Sequence, residues 1–191
     1  MKAAGVRLEL EQNPPQYRND RSRAEVARLA GNGQNAHNQQ GLTRAQTELS
    51  LNAVIDVVSL GPGRYCLGLS EVLGIWRLTR LDVDIVHEQP PGSCPHAVIL
   101  AHESQHVAVA QSLFIRHSGP IRARLTQLVG EMRPFVSTLP PSAAKLVLRD
   151  RLLAGMRTTL AAFERDLARA NAALDTPQNY RTETAKCPRW N

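Results

Sequence analysis

Alternating apolar and polar residues predict strands in the first half of the chain. Between Thr47 and Val57 the odd positions are apolar and most even positions are polar, a period of two that is typical of a half-buried strand. Val6–Glu11 alternates in the same way. Beyond the turn Gly61-Pro62-Gly63, Tyr65–Leu69 and Leu81–Glu88 are interpreted as two further strands. We expect these segments to form a small antiparallel meander sheet.

A short helix and a polar loop are expected between the first two of these strands. Asp20 can cap the helix, whose apolar positions run from Ala24 to Ala30. Gly31–Gly41 is rich in Asn, Gln and Gly and predicts a loop, in which His37 is interpreted as a solvated side chain.

The second half of the chain predicts a long antiparallel helical hairpin. Apolar residues recur every seven positions from Leu100 to Phe135, and they keep this phase across Gly119-Pro120. Pro140-Pro141 ends the first helix, and a second helix continues to Leu174 at three-four spacing. The expected fold class is therefore α+β, with a small antiparallel sheet packed on the first helix of a long helical hairpin.

The length of 191 residues predicts a single domain. Residues 1–94 would be mostly sheet and loops, residues 95–175 the hairpin and residues 176–191 a C-terminal tail.

The net charge of +6 raises nucleic acid as a partner. The basic residues are spread along the chain among acidic ones, without a run of five, so nucleic-acid binding is not expected. No segment reaches the roughly 18 apolar residues of a transmembrane helix. We expect a periplasmic or secreted protein if a signal peptide has been removed, and a cytoplasmic one otherwise. The oligomeric state is left open.

The first helix contains the motif His-Glu-x-x-His at His102, Glu103 and His106. On an α-helix a spacing of four corresponds to about 400° of rotation, so both imidazoles project from one face and can share an ion. Imidazole is a preferred ligand of Zn²⁺. Glu103 lies beside the pair and could accept a proton from a water on the ion, which makes it the candidate general base.

This motif resembles that of the zincin metalloproteases. The resemblance covers this helix and implies that His102 and His106 bind Zn²⁺, that Glu103 activates water, and that the substrate is a peptide or protein. An exposed strand edge beside such a helix could bind an extended peptide, and Leu81–Glu88 is the candidate edge.

The third metal ligand is predicted from the geometry of the hairpin. If the chain turns near Leu139, residues whose numbers sum to about 278 lie level, because both helices rise about 1.5 Å per residue. Asp175 then lies near His102 and His106, with Glu183 just beyond. If the chain instead reverses at Gly119-Pro120, Glu131 becomes level with residue 107. We prefer Asp175 because the apolar phase favours the continuous hairpin.

The layout also looks like a group of predicted secreted bacterial zinc proteases with a C-terminal motif of the form Tyr-Asp-x-x-Thr-x-His-Gly. Tyr180 and Thr184 match this pattern, whereas Arg181 replaces the aspartate and Lys186 stands in place of the histidine. The departure removes the histidine as a ligand and leaves either a carboxylate, such as Asp175 or Glu183, or an incomplete site. Tyr180 is a candidate for stabilising an oxyanion.

Cys66 and Cys94 could form a disulfide that joins the sheet to the start of the first helix, or both could be buried free thiols. Cys187 would remain unpaired in either case.

The sequence thus predicts a zinc-dependent, peptidase-like hydrolase. The alternative is a non-catalytic binding module whose helical hairpin grips a partner and whose metal site is degenerate or structural.

Overall fold

The computed structural model describes residues 4–31 and 39–190, so the loop histidine His37 lies outside the described residues. The chain forms two compact units, each assembled from three stretches. The first unit contains the stretch that ends at Glu11, together with Glu48–Arg77 and Phe114–Glu164. The second unit contains Gln12–Thr47, Leu78–Leu113 and the stretch that begins at Arg165.

Five strands and four helices make up the described chain. In chain order they are β1 (Gly5–Gln12), β2 (Gln16–Arg21), α1 (Arg23–Leu29), β3 (Gly41–Ser59), β4 (Tyr65–Val86), α2 (Cys94–Glu131), β5 (Phe135–Ser137), α3 (Pro141–Leu174) and α4 (Pro177–Thr184). Among the described helices, none is long and apolar enough to cross a lipid bilayer.

The predicted antiparallel sheet is wrong. The sheet has five strands in the order β1-β4-β2, and both β3 and β5 also pair with β4. In the second unit β2 runs parallel to β4, with Gln16 level with Asp82 and Arg21 level with Val86. Side-chain alternation reports which face of a strand is buried and carries no information on the direction of its neighbours, so the pattern could not reveal this pairing.

The central strand β4 is one strand of 22 residues, whereas the sequence predicted separate strands at Tyr65–Leu69 and Leu81–Glu88. Leu81–Glu88 is also not a free edge. The backbone N–H of Val86 donates to Gln40, and the next N–H, that of His87, donates to Arg21. Successive N–H groups of a strand point to opposite sides, so this end of β4 has a neighbour on both sides.

The predicted cap of the short helix is also wrong. Asp20 lies in β2, and Ser22 caps α1 instead. The Ser22 side chain accepts a hydrogen bond from the backbone N–H of Glu25, whose carboxylate in turn accepts from the backbone N–H of Ser22. This reciprocal arrangement is a capping box, which satisfies two backbone donors that the helix leaves unpaired.

The core of the first unit is built around Trp76. Its ring stacks on Phe114 at a centroid distance of 5.7 Å and meets the edge of Phe163 at the same distance. Phe114 lies on α2 and Phe163 on α3, and all three rings are almost fully buried. Helix α2 continues through Pro120 without interruption. A reversal of the chain at Gly119-Pro120, on which the choice of Glu131 depended, is therefore absent.

Candidate metal centre

Helix α2 places the motif residues in the second unit with their side chains buried. His102, Glu103 and His106 are each at most 6% exposed. Because the two histidines are one helical turn apart, their Nε2 atoms approach to 3.1 Å. Both imidazoles and the carboxylate line one cleft of about 930 Å³.

Asp175 completes a cluster of three possible ligands. It directly follows α3, which ends before Thr176-Pro177, where a proline disfavours further helix. Its Oδ1 lies 3.1 Å from the Nε2 of His102 and 3.1 Å from the Nε2 of His106. The three atoms therefore form a nearly equilateral triangle. Among the described residues this is the group of histidine and acidic side chains that could hold a metal ion.

The outer nitrogens of both histidines have oxygen partners. The Nδ1 of His102 lies 3.0 Å from a carboxylate oxygen of Glu183, and the Nδ1 of His106 lies 3.0 Å from the amide oxygen of Asn171. A protonated ring donates from both nitrogens, whereas a neutral imidazole with an oxygen acceptor at Nδ1 carries its proton there and directs the Nε2 lone pair into the cluster. This is the arrangement by which metal-binding histidines are usually oriented.

The rival third ligands lie elsewhere. Glu183 contacts the outer Nδ1 of His102 rather than the Nε2 side that faces His106. Glu131 belongs to the first unit and accepts a hydrogen bond of 2.9 Å from Gln127. The structure thus brings Asp175 to the Nε2 atoms and leaves Glu183 in an outer position.

Asn171 was missed by the sequence analysis, although a signal for it was present. It precedes Asp175 by four residues and so lies on the same side of the end of α3. The rule that level residues sum to about 278 places it opposite His106. A search for amides and carboxylates at that level would have found it.

Tyr180 lies against the cluster from α4. Its hydroxyl donates to the Oδ1 of Asp175 at 2.8 Å, and its ring centroid lies 5.4 Å from that of His102. Burial and this hydrogen bond to a carboxylate both raise the pKa of Tyr180 above its usual range, so the hydroxyl keeps its proton. Tyr180 is therefore a hydrogen-bond donor directed at the cluster.

The hydrogen bonds within the cluster and its burial shift the pKa values of its members. The hydrogen bond to Asp175 raises the pKa of His102 to about 9, with a further contribution from Glu183, while burial acts in the opposite direction. Burial raises the pKa of Asp175, but hydrogen bonds from His102, His106 and Tyr180 outweigh it and hold the pKa below its usual range. Without an ion the cluster therefore retains protons, which a metal would have to displace.

Glu103 is held by the first residues of β3. One of its carboxylate oxygens accepts a hydrogen bond of 2.7 Å from the Thr43 hydroxyl. Burial raises the pKa of Glu103, and the hydrogen bond from Thr43 and the nearby histidines only partly offset this. Such a carboxylate is positioned and has a raised affinity for a proton, two properties of a general base.

Gly41 lets β3 approach this carboxylate. A Cβ atom at that position would lie 2.6 Å from Oε1 of Glu103 and 2.7 Å from a methyl carbon of Ile99. Both distances are shorter than van der Waals contact. The strand can therefore lie this close to α2 only with glycine there.

Gly41→Ala should therefore displace Glu103 and lower the free energy of unfolding by about 1 to 3 kcal/mol through overpacking. Gly130→Ala is the matched control, because a Cβ atom there meets nothing within 4 Å and alanine favours the helix. Chemical denaturation of both variants measures the difference. Equal stability of the two would contradict the close packing inferred at Gly41.

The disulfide differs from the one considered in the sequence. Cys94, the first residue of α2, is bonded to Cys187, and Cys66 is a free thiol. Both alternatives considered for Cys94, a bond to Cys66 and a free thiol, are wrong, and so is the expectation that Cys187 stays unpaired. The reason is that the C-terminal tail returns to the start of α2, which chain order alone does not show. The bond closes a loop of 93 residues, worth about 4 to 5 kcal/mol in the chain-entropy model. It ties the segment that carries Tyr180 and Glu183 to the helix that carries His102.

The cleft beside the cluster has apolar as well as polar walls. Val98 and Ile99 of α2, Leu42 of β3, and Pro177 and Trp190 of the C-terminal segment line it. A substrate could therefore bury apolar groups next to the histidines and Glu103.

No protein-family model, curated protein or solved structure matches the chain.

Proposed function

We propose that the second unit binds a Zn²⁺ ion through His102, His106 and Asp175 and hydrolyses peptide bonds. The observation that carries the proposal is the triangle of two Nε2 atoms and one Oδ1 atom with edges of 3.1 Å. Two of its corners are imidazole nitrogens and the third is a carboxylate oxygen, a ligand set that Zn²⁺ accepts.

The size of the triangle fits an ion. An equilateral triangle of this edge has a circumradius of about 1.8 Å, which is no longer than a normal Zn–N or Zn–O distance of about 2.0 to 2.1 Å, so one ion could contact all three atoms. Without an ion, hydrogen bonds can hold the triangle only if at least one imidazole is doubly protonated and donates from Nε2 to Asp175, and a bound ion would take the place of that proton.

An open site is favoured over a closed structural one. Structural zinc sites usually have four protein ligands, whereas catalytic sites have three and leave a position for solvent or substrate. The described residues supply three ligand atoms here. The Asp175 side chain is 39% exposed and borders the cleft. These observations favour an enzyme over the alternative of a binding module with a structural metal.

Different residues of the cluster would perform different steps of the hydrolysis. When bound, the ion would supply Lewis acidity, which lowers the pKa of a coordinated water and favours negative charge on a substrate oxygen. Glu103, held by Thr43, would accept the proton of the attacking water and deliver it to the leaving amine. Tyr180, whose single hydroxyl hydrogen is donated to Asp175 in the structure, would release that bond and donate to the developing oxyanion instead.

Peptide as the substrate class is supported by the resemblance of the helix motif to the zincins and by the position of β3. Gly41, Leu42 and Thr43 begin this strand and line the cleft. A strand in this position could pair with an extended peptide through main-chain hydrogen bonds. We therefore propose β3 as the substrate-binding strand, in place of Leu81–Glu88.

Metal analysis of the purified wild-type protein tests the proposal. Protein prepared without chelators in the presence of Zn²⁺ should contain about one ion per chain. It should cleave an unstructured protein such as casein, lose this activity on dialysis against a chelator and regain it when Zn²⁺ is returned. Zinc-free protein would refute the metal centre, whereas bound Zn²⁺ without hydrolysis of any peptide would favour the binding module.

A further inference from the structure

The first unit exposes a concentrated set of large apolar side chains. Of the fourteen described large hydrophobic residues that are strongly exposed, nine fall in two stretches, 54–60 and 135–147. We call them the apolar tip: Val54, Val57, Val58, Leu60, Phe135, Val136, Leu139, Leu146 and Val147. Isolated apolar residues on a surface need no explanation, whereas a cluster of this size marks an interaction site.

The strand pairing brings the two stretches together. The turn after Leu60 leads into β4, and the Leu60 N–H donates to the carbonyl of Arg64. The first residues of β4 then pair with β5, Cys66 level with Val136 and Leu67 level with Phe135. Both stretches thus flank the same end of β4, and α3 starts four residues after β5.

The pattern along β3 changes where the tip begins. From Glu48 to Ala53 polar residues alternate with buried apolar ones, as expected for a strand with one face in water. From Val54 to Leu60 apolar residues occupy both faces, and only Asp56 and Ser59 are polar. A strand end with apolar side chains on both faces is removed from water only when other atoms cover both faces.

The charges around the tip are mostly basic. Within four residues of the tip on either side, across 50–64 and 131–151, the net charge is +2. The charged residues there are Arg64, Arg133, Lys145, Arg149 and Arg151 against Asp56, Glu131 and Asp150. In a symmetric contact between two copies, these like charges would face one another. An anionic lipid surface instead offers opposite charge to the basic residues and hydrocarbon to the tip.

We propose that the first unit binds the surface of anionic membranes by inserting the apolar tip among the lipid headgroups. The interaction is peripheral and reversible. Apolar burial and the attraction of Arg64, Arg133 and Lys145 to anionic headgroups both contribute to it. This inference is independent of the metal centre, which belongs to the second unit.

Sedimentation with phosphatidylserine–phosphatidylcholine vesicles tests the proposal. The wild-type protein should bind these vesicles, and more weakly vesicles of pure phosphatidylcholine. Leu60→Asp should lower the partition coefficient at least about tenfold, because it removes apolar burial and adds repulsion. Arg133→Gln should lower it about fivefold on anionic vesicles only.

Ile115→Asp is the matched control, since Ile115 is 54% exposed on α2 of the same unit and lies outside the tip. It should leave binding unchanged, and thermal denaturation should show all three variants folded. Failure of the wild type to bind, or an equal loss in Ile115→Asp and Leu60→Asp, would overturn the proposal. A dimer that Leu60→Asp dissociates in light scattering would overturn it in favour of a second copy of the chain.

Discussion

Glu103→Gln is expected to bind Zn²⁺ as the wild type does and to lose peptide hydrolysis by about 10² to 10⁴-fold, the usual contribution of a general base. Glutamine preserves the size of the side chain and can still accept the Thr43 hydrogen bond through its amide oxygen. It cannot take a proton from water. Metal content and kcat/KM measured on the same preparation separate the two effects.

Glu131→Gln is the matched control, because Glu131 belongs to the first unit and was the rival ligand. It should retain both metal and activity. If Glu103→Gln hydrolysed peptides at the wild-type rate, the general-base role of Glu103 would be refuted even with the ion in place.

His106→Ala and Asp175→Ala are each expected to lower Zn²⁺ affinity more than about 100-fold, beyond the 10 to 100-fold range usual for loss of an outer hydrogen-bond partner. Each removes one corner of the triangle. Glu183→Gln, which changes the partner of the His102 Nδ1, should fall within that range. Competition titration with a chromogenic zinc chelator measures all three affinities.

His87→Ala controls for the loss of any histidine, since its side chain is 55% exposed. It should bind Zn²⁺ as the wild type does. A larger loss in Glu183→Gln than in Asp175→Ala would exchange the roles of these two carboxylates and make Glu183 the third ligand.

The cluster was largely readable from the sequence because it depends on regular geometry. The spacing of His102 and His106 determines that they share one helix face wherever the helix packs. The position of Asp175 along the hairpin axis, opposite His102 and His106, was predicted by counting residues along two helices of known rise. The count assumed no reversal at Pro120, as the apolar phase indicated. Strand alternation likewise located β1 and part of β3.

Contacts between distant segments were not readable in the same way. The pairing of Cys94 with Cys187 depends on where the tail ends, and the support of Glu103 by Thr43 depends on how closely β3 approaches α2. The parallel pairing of β2 with β4 depends on a neighbour that alternation does not specify.

The sequence by itself predicted the helix motif, the face it occupies and Asp175 as the preferred one of three candidate ligands. It wrongly extended the first helix to Pro140, whereas α2 ends at Glu131 and Phe135 lies in β5. Only the tertiary structure decided strand direction, the disulfide partner, and the outer partners Asn171 and Glu183. The physical reason is that local periodicity depends on backbone geometry, which repeats every few residues, whereas contacts between distant segments depend on packing of the whole chain.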